Sequence, residues 1–159
     1  MKAVVMTAVG GPEVLAIREL PLPTIERGSQ LRVHLKAAGV NPVDTKLRSR
    51  GTYYPNRLPT ILGCDGAGVV EEVGSEVQRF RPGDEVFFCF GGIGGQPGSY
   101  AEYVVVEEDC VAHKPAAWSF IEAAAAPLVC ITAWESLHDR GRVAPGNTVL
   151  IHAVGLWKT

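Results

Sequence analysis

Gly63-Cys64-Asp65-Gly66-Ala67-Gly68-Val69-Val70-Glu71-Glu72-Val73-Gly74 holds four glycines in twelve residues, and two architectures compete for it. A glycine-rich phosphate loop joins a strand to a helix N-terminus in the order Gly-x-Gly-x-x-Gly, and would mark an α/β nucleotide binder. The order here is Gly63-x-x-Gly66-x-Gly68, and the β-branched pair Val69-Val70 follows where a helix would be needed. The stretch therefore predicts a strand whose glycines admit a close backbone approach. Gly91-Gly92-Ile93-Gly94-Gly95 fails the same test, because Pro97-Gly98 and then another strand follow it. It predicts a hairpin loop.

Further strands flank this one. Met1 to Val9 is an apolar run ended by Gly10-Gly11-Pro12, and Val14 to Leu20 reads as its return strand. Gln30 to Lys36 alternates polar and apolar residues, as a half-buried strand does, with His34 on the polar face. Glu85 to Phe90 and Ser99 to Val106 add two more. Asn41-Pro42-Val43-Asp44 opens a short helix running to about Ser49: Asn caps, Pro suits the first position, and an acid in the first turn suits the dipole. Past Pro115 the character changes. Ser119-Phe120-Ile121-Glu122 is a capping box before four alanines, and Pro127 opens a second helical stretch to about Arg140. Asn147 to His152 reads as a buried-type strand. With 18 Gly and 11 Pro in 159 residues, the expected fold is mainly β with C-terminal helices.

Composition narrows the function classes. A hydrophobic fraction of 47% with 20% charged residues describes a chain that can bury a core. Fifteen Lys+Arg against 17 Asp+Glu leave a net charge of −2, which offers no electrostatic ground for nucleic acid or an anionic membrane. No run approaches the ~18 apolar residues that span a bilayer. The opening Met1-Lys2-Ala3-Val4-Val5 is too short and strand-like for a signal peptide, so the expected location is cytoplasmic, with reduced thiols. Cys64, Cys89, Cys110 and Cys130 show no Cys-x-x-Cys spacing, and no metal site is expected. Asp65 is either a functional acid or a turn former. Tyr53 and Tyr54 are either phenol donors to a carbonyl or loop packing.

Five blocks come in a telling order: Gly39-Val40-Asn41-Pro42-Val43-Asp44-Thr45, Leu62 to Val70, Pro82-Gly83-Asp84-Glu85-Val86, Gly98-Ser99-Tyr100-Ala101-Glu102-Tyr103, and Leu128 to Trp134. With Gly10-Gly11-Pro12-Glu13-Val14-Leu15 ahead of them, they resemble the medium-chain dehydrogenase/reductases from Met1 to about His152. The branch they resemble is that of the zeta-crystallin-like quinone oxidoreductases and zinc-type alcohol dehydrogenase-like proteins, N-terminal catalytic domain only. The resemblance implies a GroES-like, partly open β-barrel, truncated at the start of a Rossmann domain. Residues 1–118 would be the GroES-like catalytic domain. Residues 119–159 would hold the linking helices and the first strand of the Rossmann domain, most of whose NADPH-binding site would lie beyond the chain.

The resemblance also bears on metal. Zinc-using alcohol dehydrogenases carry Cys where this chain has Asn41, His-Glu where it has Cys64-Asp65, and a third Cys that falls on Leu128. Their structural-zinc lobe has no counterpart between Cys89 and Ser99. The implied activity is zinc-independent, NADPH-dependent reduction of a quinone or other α,β-unsaturated carbonyl by the two-domain enzyme, with this N-terminal domain expected to be inactive alone. The implied catalytic residues are Asn41, Tyr53, Asp44 and Lys46, where Lys46 replaces a family tyrosine, and the cofactor-binding residues are Asn41 and Thr132. The implied partners are a small-molecule quinone or enone and further copies of the chain in a homo-oligomer. Two alternatives stand: a zinc-type alcohol dehydrogenase, and a non-catalytic GroES-like module that binds ligands or partners.

Overall fold

The Gly63–Gly74 stretch forms a central strand. In the computed structural model, which describes residues 1–54 and 56–151, β5 (Asp65–Val73) lies between β3 (Gln30–Ala38) and β6 (Glu85–Cys89). A Cβ on Gly68 would collide with the His34 carbonyl of β3, and one on Gly66 with the Phe88 ring of β6. The glycines thus serve close strand approach, as their order predicts.

Among the described residues, eight strands form two antiparallel sheets. One has the order β2 (Leu15–Glu19), β1 (Lys2–Met6), β4 (Thr60–Ile61). The other has the order β7 (Tyr103–Glu107), β3, β5, β6, β8 (Val111–His113). The segment Ser99 to Glu102, expected as the start of a regular strand, bonds to both sheets instead. The Val4 N–H donates to the Tyr100 carbonyl at 2.7 Å, and the Leu35 N–H donates to the Glu102 carbonyl at 2.8 Å. The result is a partly open barrel, as the resemblance implies, with hydrogen bonds lacing one side and the sheets not closed.

Alternation sets the core. Leu31 and Val33 of β3, Val70 of β5, Val86 and Phe88 of β6, and Val104 and Val106 of β7 all point inward and are buried together. Each such side chain contributes about 1.5–3 kcal/mol on burial. His34, on the opposite face, is half-buried and stacks on Tyr103 at 4.6 Å. The other face of β5 and β6 packs Ala67 and Phe87 against Ala123, Ala124 and Phe120 of α2 (Phe120–Ala125). The capping box there forms: the Ser119 N–H donates to Glu122 Oε2 at 2.8 Å, and the Glu122 N–H donates to Ser119 Oγ at 3.2 Å. Before α2 the only α-helix among the described residues is α1 (Pro42–Arg50), with short 3-10 turns at Pro12–Val14 and Glu108–Cys110.

Met1–Val129 packs as one unit, and a second begins at Cys130. α3 (Pro127–Trp134) starts in the first unit and continues into the second, which also holds a π-helical turn at Glu135–Arg140, and Trp134 stacks on His138 at 4.1 Å. The turn ends at Gly141, as its position predicts. Residues 147 to 151 form no strand, and the last residue of the expected strand, His152, lies outside the described residues. A strand's N–H and C=O groups need a neighbouring edge, and no described strand pairs with this stretch. No helix among the described residues is long and apolar enough to cross a membrane.

Candidate functional site

Asn41 sits where β3 ends and α1 begins, with extended backbone and Pro42 at the first helical position. The Asp44 carboxylate accepts the Asn41 N–H at 2.7 Å, one half of a capping box. The Asn41 side chain stands over the Asp44 N–H without a short capping bond, since that N–H donates to the Asn41 main-chain carbonyl at 3.0 Å. The Asn41 Nδ2 instead donates to Asp65 Oδ2 at 2.9 Å. The two ends of the amide thus face different groups, the helix start and a buried carboxylate.

Asp65 is the first residue of β5, paired opposite Cys89 of β6, and it is only 1% exposed. Its Oδ1 accepts the Leu128 N–H of α3 at 3.1 Å. That N–H is one of the four a helix leaves unpaired at its start. Burial pushes the Asp65 carboxyl above the ordinary carboxylate value, and the bonds from Asn41, Cys89 and Leu128 pull only part of the way back. Burial and the nearby Asp44 and Asp65 push the Cys64 thiol up to about 11. Burial and Asp65 push the Cys89 thiol up to about 12. Both remain protonated at neutral pH and are poor nucleophiles.

Asn41 and Asp65 lie in a cleft of about 480 Å³, walled by Ala37, Ala38, Gly39, Val40, Pro42, Ile121, Ala125 and Val129. The wall is apolar apart from the two polar side chains, the composition of a small-molecule site. A cavity of about 560 Å³ beside β1 and β4 is larger, but it contains none of the expected catalytic residues. Among the described residues no cluster of three or more His, Cys, Asp or Glu is placed to hold a metal ion.

The expected site residues divide. Asn41 and Asp44 come together, but Asp44, 4% exposed, holds the helix start and lines a separate cavity of about 290 Å³. Tyr53 is 71% exposed in the loop after α1, and Lys46 is exposed on α1; neither lines the cleft. Thr132 belongs to the second unit, where its carbonyl accepts the Ser136 hydroxyl at 2.7 Å. Asp65 is the residue that spacing left undecided. Its signal was an acid at the head of a glycine-rich strand, too small and buried a position for a solvated charge.

The fold is that of the N-terminal, GroES-like domain of the medium-chain dehydrogenase/reductases. The model of the alcohol dehydrogenase GroES-like domain matches residues 27–116, and the chain belongs to that family, on its quinone oxidoreductase branch. The chain is 40% identical to a quinone oxidoreductase of Pseudomonas aeruginosa over 152 residues, which cover 96% of this chain and 45% of that protein. It is 42% identical to the 2-methylene-furan-3-one reductase of Solanum lycopersicum, over 95% of this chain and 40% of that protein. Among solved structures, an NAD-dependent alcohol dehydrogenase superposes with a TM-score of 0.84 at 42% identity, over 92% of this chain and 49% of that one. The Escherichia coli quinone oxidoreductase complexed with NADPH superposes with a TM-score of 0.76 at 36% identity, over 86% of this chain and 40% of that one. The chain thus spans less than half the length of these relatives.

Proposed function

We propose that this chain is the substrate-side domain of a zinc-independent, NADPH-dependent reductase of quinones or other α,β-unsaturated carbonyls. The observation that carries the reading is the Asn41 amide, held by a buried carboxylate in an apolar cleft. Quinone and enone reductases among the relatives, and a quinone oxidoreductase structure holding NADPH, support it. Residues 1–118 would form this domain, and 119–159 would lead into the nucleotide-binding one.

The donor set fits a flat, carbonyl-bearing ring. Val40, Ala125, Ile121 and Val129 offer apolar contact, and the Asn41 amide meets a polar edge. The glycine loop Gly91–Gly98 leads into strand and not into a helix, so the described residues fit the nicotinamide and substrate end of the reaction and not the phosphates. When bound, NADPH supplies the hydride. As hydride adds to a conjugated system, negative charge moves onto the remote carbonyl oxygen, and a hydrogen-bond donor there lowers the barrier without a Lewis acid. The cleft walls exclude water from that charge. Water or a side chain returns the proton. Thr132 is a proposed nicotinamide contact, and Tyr53, in the exposed loop after α1 and off the cleft, is proposed as a substrate contact only outside it. Lys46 would tune the polarity near α1, and Asp44 would hold Asn41 by its backbone.

The test, made on a protein that joins this domain to a nucleotide-binding one, is NADPH consumption with a benzoquinone and with a primary alcohol, each with and without a chelator. Quinone reduction indifferent to the chelator is the expected result. Chelator-sensitive alcohol chemistry, with zinc found by elemental analysis, would establish the zinc-type dehydrogenase instead. Ligand binding with no turnover would leave the binding-module reading.

A further inference from the structure

An amide side chain has two ends of nearly equal size, and turning it over exchanges a donor for an acceptor. Asn41 is therefore ambiguous until its neighbours decide. On one side lies Asp65, whose ionised carboxylate only accepts. Its Oδ1 is tied to the Leu128 N–H at 3.1 Å, and its Oδ2 faces Asn41 at 2.9 Å. The NH2 end must lie there, since the reverse would set two acceptor oxygens against each other in a buried position. On the other side the Asn41 side chain stands over the Asp44 N–H at the start of α1, a donor that suits the amide oxygen. Both sides select the same orientation. The second Nδ2–H then has no protein partner among the described residues, and Asn41 lines the cleft.

We propose that Asp65 is a positioning residue that locks the Asn41 amide as a hydrogen-bond donor to the cleft, where its spare Nδ2–H meets the substrate's carbonyl oxygen. The meeting with a carbonyl rests on the reading of the cleft given above; the lock itself does not. Asp65 touches Asn41 and acts through it. The lock also has a chemical condition. Once Asp65 is protonated, its O–H can donate to the amide oxygen, and the reversed orientation becomes allowed. The orientation of Asn41 should therefore follow the ionisation of Asp65.

The experiment is side-chain NMR on the isotope-labelled 159-residue chain, with the Asn41 signals identified by their absence in Asn41→Ala. The expected result is that one Nδ2 proton exchanges with water roughly tenfold more slowly than its twin, as a buried hydrogen bond requires. The Asn41 signals should also move along one titration curve with the Asp65 carboxyl carbon, and Asp65→Asn should abolish that movement. Equal exchange of the two protons, or Asn41 signals blind to the ionisation of Asp65, would overturn the lock. Should Asp65→Asn fail to fold, the titration of the unaltered chain decides by itself. Reductase activity is not the readout. A locked amide in a protein that reduces no carbonyl would leave the positioning standing and overturn the cleft reading, so the two failures are separable.

Discussion

At Gly39 there is no room for one more carbon. A Cβ there would run into the Ala124 carbonyl of α2 and lie 2.9 Å from the Asp65 Cβ. Neither a main-chain carbonyl nor a Cβ fixed to its own main chain can yield as a side-chain tip would, so Gly39→Ala should cost about 1–3 kcal/mol in urea unfolding. It should also loosen the cleft, because Gly39 precedes Asn41 by two residues; an unchanged unfolding midpoint would contradict the packing. Asp65 makes a second prediction through pH. Its folded carboxyl titrates above its unfolded value, so the folded state holds the extra proton between about pH 4, the ordinary carboxylate value, and the raised one. Across that window stability falls as pH rises, since the unfolded chain binds fewer protons there. The melting temperature of the wild type should drop relative to that of Asp65→Asn as pH climbs from about 4 toward neutrality. Parallel curves for the two proteins would show that Asp65 titrates normally. Asn41 was legible as a candidate from its block resemblance, whereas Asp65 was not decidable from sequence. Spacing does not reveal that residues 41, 65 and 128, far apart in the chain, meet at hydrogen-bond distance.

Elements were legible where one rule governed them. The alternation of β3 and the capping box of α2 each depend on neighbours within four residues, and both formed as expected. Ser119→Ala should remove the donor–acceptor pair with Glu122 and cost about 1 kcal/mol, measured by chemical unfolding. Ser119→Asp should restore most of it, since Asp caps equally well; equal losses in both variants would mean that the cap is not what Ser119 contributes. Elements were illegible where partners lie elsewhere. Ser99 to Glu102 alternates like a strand, yet it divides its hydrogen bonds between two sheets and loses regular pairing. Residues 147 to 151 have the composition of a buried strand, but a strand exists only beside an edge that accepts it.

For the molecule as a whole, one property follows from what remains uncovered. Ile121 and Val129, on the rim of the cleft, are 76% and 54% exposed, and Trp134 of the second unit is 61% exposed. Large apolar side chains left in water favour association, in line with the homo-oligomer expected from sequence. Sedimentation at roughly 100 μM should show species larger than a monomer, and Ile121→Glu with Val129→Glu should reduce them. A monomer at that concentration would mean that these side chains are tolerated singly.

The sequence alone determined that this is a β-rich domain with one short helix after Asn41 and helices past Ser119. Strand alternation, turn residues and caps act over a few neighbouring residues, so they are written locally. It also determined which glycines serve backbone approach and not phosphate, because that follows from what comes next in the chain. The tertiary structure decided that Asp65 is a buried acceptor and not a turn former, and that the Asn41 amide at the head of α1 also donates to it. It also left Tyr53 and Lys46 off the cleft. Those outcomes depend on which donors and acceptors are buried together, and burial is a property of the assembled sheets and helices that no local pattern encodes.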